Sequence, residues 1–564
     1  MTEVAPIYRD DPRLEPLIGP GTPFEVEHVV IGDVPLRDFV RAPKSVIDVF
    51  RMGEAHEALV HVVYEGERLT FGDMRRQARS LARELRTTFG VAKGDRVAIA
   101  MRNLPEFVVS FWGGALLGAI VVPLNSWWTG GELVYALDDA GASVAFVDEE
   151  RLDRVLGDGR PEGVHLVGIR SASGDVAFDE LVSGAPLEDD ELASLSPDDP
   201  LTILYTSGTT GRPKGALGTN RGHIANLWNM AFVASRESLI SNRPPRPPRQ
   251  PATVSGAPLF HIGGVAAMIG GQMGGTKIVL MRKWSAAEAL RLAMEEDVTG
   301  LGGVPAMAQQ VLEYPGVEHL GIDVRTFPMG GAPVPPDLPT RAVVLFGEGI
   351  QLLNGYGLTE TTSAVCTNVG VEFEAHPDSV GRPNLTADLR VMAVDGTVLG
   401  PGDVGELCFR SPQVVRGYWN DDAATKASFQ DGWFHSGDIG YVDEDGFVHV
   451  VDRMKDVVIR GGENVYCVEV EDVLHEHPSV ARVAVIGVKE RALGERVCAV
   501  VVPRPGAVVS LDGLRSFAAP RLAIFKLPEA LALVDELPET ATGKVAKNLV
   551  RDRVAGSQAI ERLW

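Results

Sequence analysis

Residues 96–124 read RVAIAMRNLPEFVVSFWGGALLGAIVVPL, and this stretch decides the fold class. Residues 96–101 and 119–124 are short apolar runs typical of strands, and residues 106–117 between them are predicted as a helix. The order of strand, helix and strand implies parallel strands joined by a crossover helix. The stretch therefore predicts an α/β protein.

The same alternation extends outward from this stretch. Residues 58–64 read as a strand, Met74, Ala78, Leu81, Ala82 and Leu85 share one helical face, and a helix at 131–140 precedes a strand at 143–147. Near the C-terminus, residues 450–460 read as a strand crowded with charge, followed by two glycines. Beyond them lie enough helices and strands for a small α+β domain. We predict a large N-terminal, multi-sheet α/β domain at 1–454 and a smaller C-terminal α+β domain at 455–564.

Composition excludes several classes of protein. The chain has 564 residues, of which 45% are hydrophobic and 23% charged, which is typical of globular rather than disordered proteins. Its 53 basic and 76 acidic side chains give a formal charge of -23, and this field repels nucleic acid at long range. An anionic ligand therefore needs a local pocket of amides, lysines or metal.

The sequence further predicts a cytoplasmic protein without an integral membrane segment. The four cysteines form no CxxC pair, which argues against a zinc cluster and a disulfide framework. The N-terminus lacks the basic and apolar regions of a signal peptide. The longest apolar stretch, 107–122, is too short and too rich in glycine to span a bilayer. The sequence does not fix the oligomeric state and allows a homodimer.

The strongest candidate site is residues 202–216, TILYTSGTTGRPKGA, in which an apolar strand opens into a loop of hydroxyl residues and glycines. Glycines allow the backbone to approach a phosphate, hydroxyls and amides donate to it, and Lys214 adds a mobile positive charge. The spacing differs from that of a Walker A loop, which requires GxxxxGK[ST]. The segment predicts a phosphate-binding loop of another kind.

Three further segments carry candidate site residues. In residues 352–362, LLNGYGLTETT, Tyr356 can stack on a base and Glu360 suits Mg²⁺ bridged by phosphates. In residues 432–447, GWFHSGDIGYVDEDGF, Asp438 is a candidate acceptor for ribose hydroxyls. In residues 537–551, LPETATGKVAKNLVR, Lys544 follows a glycine after a threonine-rich turn. Taken singly, each also fits an ordinary loop residue.

In order and spacing, the four segments resemble the adenylate-forming superfamily, which includes acyl-CoA synthetases, adenylation domains of non-ribosomal peptide synthetases and firefly luciferase. The resemblance extends from about Val49 to Arg551. It implies a mobile C-terminal domain that rotates between two half-reactions. It also implies an acid-thiol ligase that uses ATP and Mg²⁺ to form an acyl-AMP, releases pyrophosphate and transfers the acyl group to CoA.

The resemblance also assigns residue roles. It implies Lys544, Glu360 and Thr359 as catalytic residues, Glu360 as the Mg²⁺ ligand, Lys455 as the hinge and His261 at the mouth of the acyl pocket. The residues implied to bind ATP are Thr206, Ser207, Gly208, Thr209, Thr210, Lys214, Gly331, Ala332, Pro333, Asn354, Gly355, Tyr356, Gly357, Asp438 and Arg453, and those implied to line the pantetheine tunnel are Gly461, Gly462 and Glu463. Ser436, Glu539 and Cys467 depart from the residues usual in the family, and none removes a group that the chemistry needs.

The sequence leaves three questions open. The glycine-rich run 261–275, HIGGVAAMIGGQMGG, fits either an acyl pocket or close helix packing. We expect the acid to be a medium or long-chain fatty acid, with an aromatic or alicyclic acid as the alternative. The acceptor is expected to be CoA, with a separate acyl-carrier protein as the alternative. The proline-rich segment 239–251 is either a solvated surface insertion or a flap that contacts an anionic substrate through Arg243, Arg246 and Arg249.

Overall fold

The computed structural model describes residue 8 and residues 11–171, 173–206, 212–241, 243, 246–335, 337–460, 463–490, 493–540, 544–555 and 560–562. The chain divides into two compact units. The larger unit comprises residues 3–389 and 409–434, and the smaller unit comprises residues 390–408 and 435–564. Helices alternate with strands over most of the chain, which confirms the predicted α/β class. The boundary between residues 454 and 455 stays a prediction.

The larger unit contains a two-stranded hairpin, a seven-stranded sheet and two four-stranded sheets. Its strands are β1 (Val26–Ile31), β2 (Val34–Phe39), β3 (Val60–Tyr64), β4 (Glu67–Thr70), β5 (Arg96–Ala100), β6 (Ile120–Pro123), β7 (Ala142–Asp148), β8 (His165–Ile169), β9 (Val176–Ala177), β10 (Pro200–Thr206), β11 (Lys214–Thr219), β12 (Ala252–Ser255), β13 (Lys277–Leu280), β14 (Thr326–Pro328), β15 (Gln351–Leu358), β16 (Ser363–Val369) and β17 (Arg382–Pro383). Its helices are α1 (Glu15–Ile18), α2 (Val46–Met52), α3 (Phe71–Thr87), α4 (Pro105–Leu116), α5 (Gly130–Ala140), α6 (Glu149–Asp158), α7 (Phe178–Val182), α8 (Asn220–Ile240), α9 (Ile262–Gly274), α10 (Ala286–Glu295), α11 (Pro305–Leu312), α12 (Leu338–Phe346), α13 (Gly370–Ala375) and α14 (Asp422–Ser428).

The seven-stranded sheet has the order β11-β10-β6-β5-β7-β8-β9, and β5 pairs in parallel with both β6 and β7. Along β5, Val97 and Ile99 pack in the core formed by α3 and α4, whereas Ala98 and Ala100 pack on the opposite face against α5 and α6. Successive side chains of a strand point to opposite faces, so both faces of this sheet are covered. The parallel arrangement predicted from residues 96–124 is confirmed.

Local sequence explains where the flanking helices begin and end. Thr70 caps α3, accepting a hydrogen bond from the Asp73 amide at 3.0 Å. Pro105 occupies the first position of α4, where a missing amide proton costs nothing. Gly141 ends α5 with φ of 60°, a left-handed conformation that glycine adopts without strain. The bounds of α4 and α5 lie within one residue of the predicted 106–117 and 131–140.

Two four-stranded sheets, ordered β12-β13-β3-β4 and β14-β15-β16-β17, complete the larger unit. In the second sheet, β15 pairs in parallel with β14 and antiparallel with β16. The chain leaves β15 through a single 3₁₀ turn at Thr359–Thr361 and returns along β16. This turn carries two of the predicted catalytic residues.

The smaller unit contains most of a sheet ordered β18-β19-β21-β22 and a six-stranded sheet ordered β24-β23-β26-β27-β28, in which β25 also pairs with β26. The remaining strands are β18 (Asp388–Met392), β19 (Gly405–Arg410), β20 (Phe429–Gln430, in the larger unit), β21 (Trp433–Val442), β22 (Val448–Arg453), β23 (Val458–Arg460), β24 (Glu463–Val465), β25 (Val480–Glu490), β26 (Gly494–Pro503), β27 (Ala530–Leu533) and β28 (Ile560–Arg562). The remaining helices are α15 (Cys467–His475), α16 (Leu511–Ala518) and α17 (Lys547–Ala555).

The strand predicted at 450–460 is two strands. β22 ends at Arg453 and β23 begins at Val458, with a turn between them in which the amides of Asp456 and Val457 donate to the Arg453 carbonyl oxygen at 2.8 and 3.1 Å. The continuous strand prediction is therefore wrong at 454–457. The backbone at 454–457 forms its hydrogen bonds in a turn, and the predicted hinge Lys455 lies inside it.

Candidate active site

The first predicted motif forms the hairpin between β10 and β11. Thr206 and Lys214 are its last pair, and the Thr206 hydroxyl donates to the Lys214 carbonyl oxygen at 3.4 Å. The hairpin thus brings a hydroxyl and an ammonium group to one end of the seven-stranded sheet. Ser207, Gly208, Thr209 and Thr210 lie outside the described residues, so their predicted phosphate contacts stay predictions.

Tyr418 joins the first motif to the second. Its hydroxyl donates to Glu360 Oε1 at 2.8 Å, and the Lys214 ammonium lies 5.3 Å from the centre of its ring. Burial, followed by the Glu360 carboxylate, raises the pKa of Tyr418, so the hydroxyl keeps its proton and remains a donor. The carboxylate and the ammonium predicted from separate motifs therefore contact one aromatic side chain.

Sequence reasoning missed Tyr418. It lies in residues 416–420, RGYWN, outside the four segments that carried the prediction. Backbone bonds fix this segment, because the Val415 amide donates to the Glu360 carbonyl oxygen at 2.9 Å and the Trp419 amide donates to that of Gly215 at 2.7 Å. The sequence offered only two adjacent aromatics after a glycine.

The second motif runs along β15, which contains Asn354, Gly355, Tyr356 and Gly357. A Cβ at Gly357 would lie 1.9 Å from the Ser363 carbonyl oxygen, so only glycine permits β16 to approach here. The Tyr356 ring lies 5.9 Å from that of Phe409, at an interplanar angle of 40°. The motif thus presents an aromatic ring immediately before the turn that carries Thr359 and Glu360.

Gly331, Ala332 and Pro333 follow β14 in the same sheet. β14 pairs with the start of β15, and the Met329 amide donates to the Leu353 carbonyl oxygen at 2.7 Å. The chain then turns at Gly331, whose φ of 87° is in the left-handed region that favours glycine. This loop therefore leaves the sheet beside the strand that carries Tyr356, as a shared adenine-binding role requires.

His261 precedes α9, where its Nδ1 accepts from the Gly263 amide at 3.2 Å. A Cβ at Gly264 would lie 2.5 Å from the Pro258 carbonyl oxygen, and one at Gly270 would lie 3.3 Å from Leu227 Cδ1. Close packing therefore occupies the space at these two glycines. At Gly263, His261 Nδ1 lies 3.6 Å from the Cβ position and no other described side chain lies within 4 Å of it, so the glycine leaves room beside His261.

In the smaller unit, the third and fourth motifs come together. Asp438 of β21 and Arg453 of β22 are cross-strand partners, with Arg453 Nε 3.0 Å from Asp438 Oδ1. Burial and then the positive charge of Arg453 lower the pKa of Lys544, and Asp438 opposes them. The lysine predicted to catalyse adenylation thus lies within electrostatic reach of the pair predicted to hold the ribose.

A buried network surrounds the predicted hinge Lys455. The Cys467 amide donates to the Asp452 carboxylate, and the Cys467 thiol donates to the Asp456 carbonyl oxygen at 3.0 Å. Arg551 of α17 donates to Asp456 Oδ1 at 2.7 Å. Residues on both sides of Lys455 are therefore bonded to α15, which begins at Cys467.

The predicted pantetheine segment is described only in part. Glu463 begins β24, where it pairs with Arg460 and is exposed. Gly461 and Gly462 lie outside the described residues, so the tunnel assignment stays a prediction.

The arginines of segment 239–251 bond to other parts of the larger unit. Arg243 donates to Glu374 Oε1 at 2.8 Å, Arg246 lies 3.4 Å from Asp323 Oδ1, and Arg249 pairs with Asp323 and Asp297. These carboxylates neutralise the three guanidinium groups. The contacts favour a surface insertion over a flap on an anionic substrate.

Comparison with known proteins identifies the family. Residues 50–419 match the AMP-binding enzymes, and residues 469–544 match the C-terminal domain of the same family. The chain belongs to the AMP-binding enzymes. The resemblance to adenylate-forming acyl-CoA synthetases, ligases that form carbon–sulfur bonds, is thereby confirmed, together with the large multi-sheet N-terminal part and the smaller C-terminal part.

Relatives of this AMP-binding enzyme differ in acid and in acceptor. It is 36% identical to feruloyl-CoA synthase from Amycolatopsis sp over 497 residues, 87% of this chain and 95% of the relative. It is 34% identical to the fatty acid–[acyl-carrier-protein] ligase ScoC from Streptomyces coeruleorubidus over 507 residues, 88% of this chain and 94% of the relative. Similarity therefore establishes the reaction class and leaves the acid undetermined.

A solved structure extends the similarity to the fold. O-succinylbenzoate CoA synthetase (MenE) from Bacillus subtilis, in complex with the acyl-adenylate intermediate OSB-AMP, is 28% identical, with a TM-score of 0.76. The match covers 92% of this chain and 99% of that chain. No helix in the described part of this AMP-binding enzyme combines the length and the apolar character needed to cross a membrane.

Proposed function

We propose that this AMP-binding enzyme is a fatty-acid–CoA ligase. It joins a medium or long-chain fatty acid to AMP, releases pyrophosphate and then transfers the acyl group to CoA. The observation that carries the proposal is the contact of one tyrosine with two motifs: Tyr418 donates to Glu360 while its ring faces Lys214. A carboxylate and an ammonium group that contact the same tyrosine suit a nucleoside triphosphate bound together with a divalent cation.

The chemistry explains why such a site is needed. A carboxylate is a poor electrophile, and its attack on the α-phosphorus of ATP brings negative groups together. Catalysis is then mainly a matter of positioning and of neutralising charge. In the larger unit, Thr206 and Lys214 bind phosphate oxygens, Thr359 donates to phosphate, Tyr356 stacks on adenine and residues 331–333 line it.

Glu360 suits the role of Mg²⁺ ligand. Its carboxylate is a hard oxygen ligand, it is only 8% exposed, and Tyr418 fixes its orientation. When bound, Mg²⁺ neutralises charge on the phosphates. Tyr418 contributes by holding the carboxylate in one rotamer before the nucleotide arrives.

In the smaller unit, we assign the ribose hydroxyls to Asp438 and Arg453 and the transition-state charge to Lys544. The Lys544 ammonium is partly desolvated and lies near a second cation, Arg453. An anionic phosphate offsets that repulsion, so the charge of Lys544 is more favourable with the reacting nucleotide bound than in the nucleotide-free protein. Thioester formation is assigned to residues 461–463 after rotation about Lys455 of a domain at 455–564.

The residues around His261 support a fatty acid as the substrate. Residues 250–276 contain no Asp, Glu, Lys or Arg, so this segment offers no partner for a second charge on the acid. The half-buried Phe260 and the buried Ile262 flank His261, next to the open side of Gly263. An acid with one carboxylate and an apolar chain fits this chemistry. An aromatic acid such as that of the feruloyl relative is the second candidate.

The test supplies a panel of acids to the purified protein together with Mg²⁺ and ATP. The release of pyrophosphate and the formation of AMP are then measured for each acid. Octanoate and palmitate are expected to exceed ferulate, benzoate and 2-succinylbenzoate. Faster turnover of ferulate or benzoate would overturn the fatty-acid assignment alone. Absence of AMP with every acid would overturn the reaction.

A second assay identifies the acceptor. Acyl-CoA is expected when CoA is added to the preferred acid and ATP, and no transfer is expected to a purified acyl-carrier protein bearing phosphopantetheine. Pyrophosphate release without acyl-CoA, combined with loading of the carrier protein, would assign the alternative acceptor suggested by the relative ScoC.

A further inference from the structure

A cluster of three metal-ligating side chains lies in the smaller unit, and none of the three has a role assigned above. Glu406 and Cys408 are two residues apart on β19 and therefore share one face of the strand, and His435 lies on the neighbouring strand β21. His435 Nδ1 lies 2.8 Å from Glu406 Oε2 and 3.4 Å from Cys408 Sγ. One carboxylate oxygen, one sulfur and one nitrogen all lie within 4.8 Å of one another.

We propose that Glu406, Cys408 and His435 form a site for a zinc-class divalent ion, distinct from the Mg²⁺ site assigned to Glu360. The 3.4 Å between Nδ1 and Sγ is close to the separation of about 3.5 Å expected for a nitrogen and a sulfur ligand of one tetrahedral Zn²⁺. The 2.8 Å between Nδ1 and Oε2 is a hydrogen bond, and these two atoms must separate to about 3.3 Å when they bind the ion. Thiolate and imidazole ligands select Zn²⁺ or Co²⁺ over Mg²⁺, which prefers oxygen ligands in octahedral geometry. Water or an external ligand completes the coordination.

Charge balance favours the ion in this environment. Zn²⁺ carries two positive charges, and the Cys408 thiolate and Glu406 carboxylate carry two negative ones, so the complex with neutral His435 has no net charge. Binding releases the thiol proton to solvent, and the Nδ1 proton of His435 moves to Nε2. Cys408 is fully buried, whereas the side chains of His435 and Glu406 are 19% and 17% exposed, so the ion reaches the thiol from their side.

The surroundings hold the ligands in place. The Gly437 amide donates to Glu406 Oε1 at 2.9 Å, which leaves Oε2 directed at His435. The carboxylate is thereby held on the side of the imidazole before an ion binds.

The position of the site suggests its consequence. The Gly437 amide donates a hydrogen bond to Glu406, and Gly437 directly precedes Asp438 on β21. An ion that joins β19 to β21 at this point braces the strand that presents Asp438. We therefore expect Zn²⁺ to raise the unfolding temperature, because a ligand that binds only the folded state stabilises it.

The test uses full-length, tag-free protein stripped of metal and titrated with Co²⁺. A near-ultraviolet charge-transfer band from thiolate to cobalt is expected at one equivalent, together with visible bands of tetrahedral cobalt, and Zn²⁺ should abolish both. Cys408→Ser should lose the charge-transfer band. His435→Gln and Glu406→Gln should bind Co²⁺ more weakly by about 100-fold, the upper end of the loss seen when a metal site loses supporting groups.

Cys498→Ala is the matched control, because it removes another fully buried thiol of the smaller unit and should keep the band. Circular dichroism establishes that each variant is folded, and Glu406→Gln, which preserves side-chain shape, serves if Cys408→Ser is unstable. Absence of the band in the wild-type protein overturns the proposal. So does a band that persists in Cys408→Ser, or a Zn²⁺-induced rise in unfolding temperature that is equal in all variants.

Discussion

Glu360 and Lys544 are the two charged groups on which the proposed adenylation depends, and their surroundings differ. Glu360 accepts a hydrogen bond from Tyr418, whose ring also faces Lys214. Burial and then the like charge of Arg453 lower the pKa of Lys544, and the opposite charge of Asp438 does not fully offset them. One group is supported before the nucleotide binds, and the other is held at an electrostatic cost.

The difference indicates a division of labour. A carboxylate whose orientation is fixed by a neighbour is suited to bind a cation in the ground state, because its side chain loses little further conformational entropy on binding. An ammonium group in an unfavourable field gains most when negative charge develops beside it. Lys544 should therefore affect the rate of adenylation, and Glu360 and Tyr418 should affect binding of magnesium and nucleotide as well.

The largest effect is expected for Lys544→Ala. Formation of acyl-AMP should fall by about 1000-fold, because one group that stabilises transition-state charge is lost. Thioester formation from supplied acyl-adenylate should be retained. Pyrophosphate release measures the first step, and acyl-CoA production from synthetic acyl-AMP measures the second.

Lys426→Ala, which removes an exposed lysine from α14, controls for the loss of a charge and should behave like the wild type in both steps. Equal losses of Lys544→Ala in the two assays would contradict its restriction to adenylation.

Glu360→Gln should lower adenylation by about 100-fold, the scale of loss when a metal site is weakened. The amide oxygen still accepts from Tyr418, so the change removes charge with little change in shape. The magnesium concentration for half-maximal rate should rise. Glu444→Gln, at an exposed glutamate, is the matched control. An unchanged magnesium requirement in Glu360→Gln would contradict the assignment of Glu360 as a magnesium ligand.

Tyr418→Phe should lower adenylation by about tenfold, since a hydrogen bond to a charged group contributes about 1.5–3 kcal/mol. The ring that faces Lys214 remains in this variant. Tyr418→Leu removes the ring as well and should lose more. The rate of pyrophosphate release is measured for both variants as a function of magnesium concentration. Equal losses of rate in the two variants would mean that the hydroxyl accounts for the whole effect and the ring for none of it.

The smallest expected effect is on stability. Because the pKa of Lys544 is lowered in the folded state, its charge destabilises the nucleotide-free protein when the lysine is protonated in both folded and unfolded states. That cost declines as the pH rises through the lowered pKa towards 10.5, the ordinary lysine value. Lys544→Met should therefore be more stable than the wild type at neutral pH, and the difference should shrink near pH 10.

Urea unfolding of the two proteins at both pH values measures this difference. A Lys544→Met variant less stable than the wild type at neutral pH would mean that Asp438 outweighs burial and Arg453, and the contrast with Glu360 would disappear.

The sequence by itself determined the α/β class and the parallel strands from residue 96 to 148, because these depend on periodicity along the chain. The resemblance of its four motifs to a known family indicated the family. Only the tertiary structure disclosed the Tyr418 contact with Glu360, 58 residues away, the turn that divides 450–460, and the approach of His435 to Cys408. Cysteine spacing argued against a zinc cluster built from pairs of cysteines. It does not test for a metal site that combines one cysteine with a histidine distant in the sequence. The His435 contact forms between neighbouring strands of one sheet, and the Tyr418 contact forms between a loop and a turn. Local patterns along the chain do not record which distant segments will meet.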